Sequence, residues 1–392
     1  MLPFTFPSLT DYLYIMYQHY RVDYAGLTVN LCAFDEVAQS IRAEVQPFFV
    51  LQSGSNSESC VANLTLNLAP LPTEIAELLV HEPRLLQVDT SLYVHLASEG
   101  LRWDFDNQHV IRITLTGTYA VIDIERSRIT LYQPEQTLLT RDAIRLLKGL
   151  FTVFVEDCGG VQLHSSSVVA DGKGVLLLGD MWQGKTTLLL EMLREFNVQQ
   201  LSCDTTVLMP NTKGNQICAY GWPSPFSVSH GTLADHPELY EFFPEERKGV
   251  NYEQLWADGK KSVLTSEQVV SCFASSLVPS VKNISLCLIV RFSPEDTTSI
   301  TRIENIDSLA KHLQLVYLGS RDPIYHNWHQ YLEVDDATID RNIQMIAEAL
   351  YASSEVYVLT WAPSAVSLMK RVPLLALSHK ALSRLMQPVA PN

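Results

Sequence analysis

Hydrophobic and polar positions change their period once along the chain. Residues 41–51, 84–97, 110–115 and 119–124 are rich in β-branched and aromatic side chains, and turn-forming stretches such as Ser53-Gly54-Ser55-Asn56 and Asp104-Phe105-Asp106-Asn107 separate them. Short runs of this composition between turn signals predict strands. Residues 129–132 predict a last strand, paired with 119–124 across Glu125-Arg126-Ser127-Arg128. One helix is expected over 72–80, where Pro72 suits a first helical position. Residues 1–137 therefore read as a β-rich N-terminal domain, either a substrate-reading unit or a structural flank.

Beyond that point the spacing turns helical. Ile144, Leu147, Leu150, Phe151 and Phe154 recur within 140–154 at the interval of one helix face, predicting an amphipathic helix that leads into a second domain, 138–392. Strands and helices then mix. Residues 161–170 and 173–178 predict a strand pair turning at Asp171-Gly172, with further strands at 201–204, 207–209, 284–292 and 356–361. Helices are expected at 187–195, within 229–243, and at 266–275, 335–352, 365–372 and 374–386, with 335–352 the longest. The expected fold class is α/β in the mixed α+β sense. No internal repeat interrupts it.

Between the strand at 173–178 and the following helix lies Gly179-Asp180-Met181-Trp182-Gln183-Gly184-Lys185-Thr186-Thr187. This stretch fits G-x-x-x-x-G-K-[ST], the loop that wraps nucleotide phosphates, in the strand–loop–helix context the motif requires. Gly179 and Gly184 permit the turn and let backbone N–H groups face the phosphates, and the helix start adds its positive dipole end. The whole stretch, with Asp180, Met181, Trp182, Gln183 and Thr187, is the expected nucleotide-binding element. Lys185 would reach the β and γ phosphates of ATP, and Thr186 would place a hydroxyl on Mg²⁺. The plainer alternative is a glycine-rich turn with a surface lysine. Phosphoryl transfer also needs a carboxylate near the metal. Asp204, expected at the end of the short strand 201–204, fits that role, or else it caps a turn.

Charge narrows the partners. The 392 residues carry 28 Lys and Arg against 43 Asp and Glu, a formal net charge of −15, which offers no basic field for a nucleic acid. A basic polypeptide substrate would be favoured by that field. No apolar run reaches the roughly 18 residues of a membrane span, and the N-terminal residues lack the basic and apolar regions of a secretion signal. The seven cysteines are scattered without a CxxC pair, so neither a zinc site nor a disulfide framework is expected. Asn63-Leu64-Thr65 and Asn283-Ile284-Ser285 fit the glycosylation pattern and are expected to stay idle. These features together predict a cytoplasmic protein.

His164 lies fifteen residues before Gly179, within Leu163-His164-Ser165-Ser166-Ser167, and Leu201-Ser202-Cys203-Asp204 follows the loop helix. This arrangement resembles the kinase domain of the HPr kinase/phosphorylase family and its relatives. Those relatives include the peptide-serine kinases of lasso-peptide pathways, with a core similar to nucleotide-dependent phosphoenolpyruvate carboxykinases. Tyr220-Gly221-Trp222-Pro223-Ser224-Pro225, His230-Gly231-Thr232-Leu233 and Lys260-Lys261-Ser262-Val263-Leu264 extend the resemblance, which covers residues 158–292. It implies a P-loop kinase domain in which His164 assists the acceptor or a phosphate oxygen; a locally bonded core histidine is the alternative. Asp204 matches the first of two consecutive family aspartates. The second, the general base, is Thr205 here, and a threonine cannot accept a proton at neutral pH. A simple alignment also sets Val228 at a metal-linked glutamate and His230 at an arginine.

Other residues leave alternatives open. Trp182 could pack over the nucleotide or against a helix. Lys260 and Lys261 could neutralise phosphate charge or be a solvated pair. Residues 321–329 could line an acceptor pocket or form a surface loop anchored by Trp328, and Lys370, Arg371, Lys380 and Arg384 could face an acidic partner. His326 and His329, three apart, lack a third ligand and do not read as a metal site. The expected activity is an ATP-dependent kinase moving the γ-phosphoryl group to a hydroxyl, foremost the serine of a peptide or protein. A nucleotide-gated binding protein and a small-metabolite kinase are the alternatives. The resemblance also makes a homo-oligomer an expected state.

Overall fold

The computed structural model describes residues 17–54, 57, 59–89, 98–211, 216–293, 299–322 and 327–361. The helices expected at 365–372 and 374–386, with Lys370, Arg371, Lys380 and Arg384, lie outside the described residues, as does His326. Two units divide the chain: residues 1–157 with 319–335, and 158–318 with 336–392. Both are mixed α/β.

The first unit opens with a hairpin of β1 (Tyr17–Tyr24) and β2 (Leu27–Phe34). Ala25 and Gly26 turn it, both at positive φ (51° and 85°), the geometry that matches strand twist in two-residue hairpins. Helix α1 (Asp35–Val45) follows, then β3 (Val50–Ser53). The strand expected over 41–51 is therefore helix in its first half. Val37, Ala38, Ile41 and Val45 are all fully buried at helical spacing, and Asp35 and Glu36 favour the positive end of the first turn. A reading that starts at Ile41 hides the earlier half of that period. The chain continues through β4 (Ala62–Asn67), α2 (Thr73–Ala76), β5 (Arg84–Asp89), β6 (Ser98–Phe105), β7 (Gln108–Ile113), β8 (Tyr119–Asp123), β9 (Arg128–Tyr132) and α3 (Gln136–Asp157).

These nine strands form one sheet, β3-β1-β2-β4-β9-β8-β7-β6-β5. The expected pairing around residues 125–128 is present, with Tyr119 opposite Tyr132 and Asp123 opposite Arg128. Helix α3 buries Ile144, Leu147, Leu150 and Phe151, and α1 and α3 pack on each other and on β2. At 22 residues α3 exceeds the 18 of Asp336–Ser353, so the latter is not the longest. It belongs to the first unit, to which residues 319–335 also return.

In the second unit β10 (Val161–Ala170) and β11 (Lys173–Leu178) form the expected pair. Helix α4 (Lys185–Glu195), β12 (Gln199–Ser202), β13 (Thr205–Pro210), β14 (Ile217–Gly221), β15 (Phe226–Ser229), α5 (His230–Ala234), α6 (Tyr252–Ala257), β16 (Lys261–Leu264) and α7 (Ser266–Cys272) follow. Then come β17 (Ser280–Val281), β18 (Ile284–Phe292), β19 (Ser299–Arg302), α8 (Ile306–Leu315), α9 (Asp336–Ser353) and β20 (Glu355–Trp361). The sheet order is β17-β14-β13-β10-β11-β18-β20-β19, with β12 also against β10, and β15–β16 forms a separate ribbon. Strand β18 lies parallel to both β11 and β20. Leu176–Leu178 and Leu286–Val290 are almost wholly buried, as the runs of a doubly covered parallel pair should be. Leu188, Leu189, Leu190 and Leu193 of α4 join the same core as Val175, Leu177 and Trp361. Each such side chain contributes about 1.5–3 kcal/mol on burial, so the helix that follows the glycine loop is firmly seated. No described helix is long and apolar enough to cross a membrane.

Candidate nucleotide and phosphoryl-transfer site

Register brings the sequence's candidate residues together. Ser165 pairs with Leu178, the last residue of β11, and the backbone N–H of the preceding His164 donates to Val316 O (2.7 Å). On its other side His164 pairs with Thr205 of β13. Asp204 sits in the two-residue turn between β12 and β13, and its carboxylate Oδ1 lies 3.3 Å from His164 Nε2. Buried hydroxyls pin this turn. Ser166 Oγ donates to Cys203 O (2.6 Å), Ser202 Oγ donates to Thr205 O (2.6 Å), and Ser165 N donates to Asp204 O (2.9 Å). The Ser166 hydroxyl, within a run that reads as unremarkable polar sequence, and the Ser165 backbone N–H therefore help fix the position of the acidic residue.

Glycine is required at both ends of the loop. A Cβ on Gly179 would stand 2.8 Å from Val290 O, on the neighbouring parallel strand. One on Gly184, at φ +87°, would fall 1.9 Å from the Trp361 ring. Trp361 Nε1 also donates to Gln183 O (2.8 Å), and Phe292 N donates to Gln183 Oε1 (2.9 Å). The loop is thus tied to the carboxyl ends of β18 and β20, where ligands of open α/β sheets bind. Gly184 caps α4 without a side-chain hydrogen bond. The first-turn N–H groups of α4 thus lack a side-chain cap, the arrangement that attracts anions.

Lys185 points back under the loop. Its Nζ donates to Gly179 O (2.8 Å) and Asp180 O (3.0 Å). Burial pushes its pKa down to about 8, against the upward pull of Asp204 and Asp180. Asp204 behaves oppositely. Burial alone would raise it, but the hydrogen bond from His164 and the charges of His164, Lys185 and Lys261 hold it below the usual carboxylate range. Its side chain keeps 45% exposure while His164 keeps 13%, so the pair has an ionised oxygen accessible to a ligand. Thr186 is partly exposed on the first turn of α4. Thr187 is buried, with its hydroxyl 3.1 Å from that of Thr232. Met181 and Trp182 stay exposed, and Met181 N donates to Asp180 Oδ1 (2.7 Å).

Sequence reasoning undervalues Lys261. Its Nζ stands 4.4 Å from the centroid of the Trp182 ring, and the residue is half-buried while Lys260 is exposed. The KK pair is visible in the sequence; which lysine turns inward is not. Other candidates are buried. Val228 is fully buried among hydrophobic neighbours. Thr205 is fully buried, its hydroxyl 3.4 Å from Asp204 Oδ2. His230 is buried, and burial together with Arg247 pushes its pKa down. Trp328 and His329 are buried within the first unit, where His109 Nε2 lies 2.8 Å from His329 O.

The donor set suits a magnesium-bound triphosphate. Among the described residues no group of three or more His, Cys, Asp or Glu converges to hold a metal. Mg²⁺ bound through substrate phosphates needs only one or two protein oxygens, and the Thr186 hydroxyl and Asp204 carboxylate are donors of that kind. No family model matches the chain, and no curated protein matches it.

Proposed function

We propose that the second unit is an ATP-dependent phosphotransferase with an HPr-kinase-like P-loop domain. It would move the γ-phosphoryl group to a hydroxyl, foremost a serine of a peptide or protein. One observation carries this reading. A buried lysine, an ionised half-exposed aspartate with its histidine, and an uncapped helix start converge at the end of a parallel strand pair. Lys185 and the N–H groups of the loop would hold the β and γ phosphates. Thr186 and Asp204 would hold Mg²⁺, which when bound neutralises phosphate charge. Asp204, oriented by His164, would take the proton of the acceptor hydroxyl. The acceptor oxygen then bonds to the γ phosphorus as the bond to the β-phosphate oxygen breaks, leaving ADP. A depressed carboxylate is a weak base, yet transfer through a loose transition state depends mainly on positioning and charge. A cytoplasmic location, with its ready supply of ATP, would suit a kinase of this kind.

The burial of Thr205 favours a second reading. The position where the resembling family keeps its base is sealed from any acceptor, as expected of a nucleotide-gated binding protein that has lost transfer. Incubating the chain with Mg²⁺ and γ-labelled ATP in cytosolic extract, beside Lys185→Ala, separates the two. Label on a peptide or protein that requires Lys185 supports the kinase. ATP bound without any Lys185-dependent label supports the binding protein, and label on a small molecule moves the acceptor to a metabolite.

A further inference from the structure

The proposed kinase mechanism leaves Trp182 and Lys261 unexplained. Trp182 stands between the two loop glycines in left-handed backbone (φ 66°), and its side chain is not buried in the core: the residue keeps 60% exposure. A non-glycine residue holds that conformation at a cost in backbone strain, so the orientation it gives the indole needs a reason. The indole reaches the start of the β15–β16 ribbon, where a Cβ on Gly259 would come within 3.3 Å of the ring. Lys261, the first residue of β16, lays its ammonium over the ring face.

The ribbon is in turn fixed to the phosphate-loop helix. Lys261 pairs across the ribbon with Ser229, the residue that caps α5. Ser229 Oγ lies 2.8 Å from Thr232 Oγ1, which lies 3.1 Å from Thr187 Oγ1 on α4. Lys261 is thus held at a set height beside the loop rather than left as a solvated surface charge. Its charge favours the ionised carboxylate of Asp204 and disfavours the ammonium of Lys185, so the three groups lie within electrostatic reach of one another.

We infer that Lys261 is a second phosphate-binding cation, seated on the Trp182 indole, and that it binds the terminal phosphate of a nucleoside triphosphate. This rests on the nucleotide reading above. Lys185 already spends two of its three N–H donors on the carbonyls of Gly179 and Asp180, which leaves one for a phosphate oxygen, and its single charge cannot balance a triphosphate. A lysine over an indole is held less strongly than by charge-assisted bonds to a phosphate oxygen. Trp182 is a positioning residue that keeps the ammonium beside the loop until the phosphate arrives.

The test is isothermal titration of the full chain with ATP and with ADP, each with Mg²⁺, for the parent, Lys261→Met, Lys261→Arg and Trp182→Leu. Lys261→Met is expected to weaken ATP by about tenfold or more while ADP changes by less than about threefold. Lys261→Arg should retain the preference, and Trp182→Leu should lose about threefold on ATP alone. Equal losses on both nucleotides, or none on either, would overturn the assignment while leaving nucleotide binding intact. A folded parent that binds neither nucleotide would instead remove the nucleotide reading and this inference with it.

Discussion

Two histidine–carboxylate pairs flank helix α4, and their distances barely differ. His164 and Asp204 stand at 3.3 Å near its N-terminus, and His236 and Glu191 at 3.2 Å in its second half. Access separates them. The side chains of His236 and Glu191 are 0% and 3% exposed, whereas Asp204 keeps 45%. Glu191 is further engaged by Arg194 and His236 Nδ1 is within 2.7 Å of Thr232 O, so the inner pair is closed on itself. Both carboxyls are held below their usual range. Distance and pKa direction therefore do not single out the pair proposed to act in transfer; the open side of Asp204 does, together with the glycine loop nearby.

The largest expected effect attacks the open pair. Asp204→Asn, and separately Lys185→Ala, should lower phosphoryl transfer by about 10²–10⁴-fold. Asp204→Asn also gives up the stabilisation implied by the lowered pKa of Asp204, so transfer is read at a temperature where thermal denaturation shows both proteins folded. The closed pair should respond the other way. Glu191→Ala leaves buried His236 without its carboxylate and should cost about 3–5 kcal/mol in urea unfolding, with transfer by the folded fraction retained. Gly184→Ala tests the loop itself. Left-handed backbone and collision with the Trp361 ring should cost about 2–4 kcal/mol locally, read as lost ATP affinity.

Smaller effects follow from pH. Lys185 has a folded pKa near 8, below its usual 10.5. The folded state thus binds fewer protons than the unfolded one between those values. The destabilisation from burying the ammonium is fully present below about 8 and is relieved as pH rises toward 10.5. Phosphate affinity should move against it, falling as Lys185 loses its proton above about pH 8, measurable by titrating ATP at several pH values. For Glu191 the sign reverses. Its stabilisation is present above the ordinary glutamate value of 4.5 and is lost as pH falls through the lowered folded value. Glu191→Gln should therefore differ most from the parent at neutral pH and converge with it in acid. Lys260→Ala should change least, within about 0.5 kcal/mol, because Lys260 is exposed.

What the sequence can and cannot reveal follows from these contrasts. The loop, its strands and its helix are legible because glycine spacing and apolar runs are local signals. The strand pair meeting at Asp171-Gly172 and the apolar strand β18 are equally plain. The β1–β2 hairpin escapes notice because its turn, Ala25-Gly26, carries only one glycine, and α1 reads as strand because its period begins before Ile41. Position after the loop helix nominates Asp204 and resemblance nominates His164, but their contact depends on register between β10 and β13, which no local pattern encodes. Lys261 is hidden for the same reason: its burial is set by the ribbon that pairs it with Ser229.

The most direct measurement follows γ-labelled phosphate from ATP in host extract for the parent, Asp204→Asn and Glu191→Gln, at a temperature where all three are folded. The account predicts Mg²⁺-dependent label with the parent and Glu191→Gln, and its loss with Asp204→Asn. Label that survives Asp204→Asn, or disappears equally in both variants, would contradict the claim that the open pair carries the chemistry.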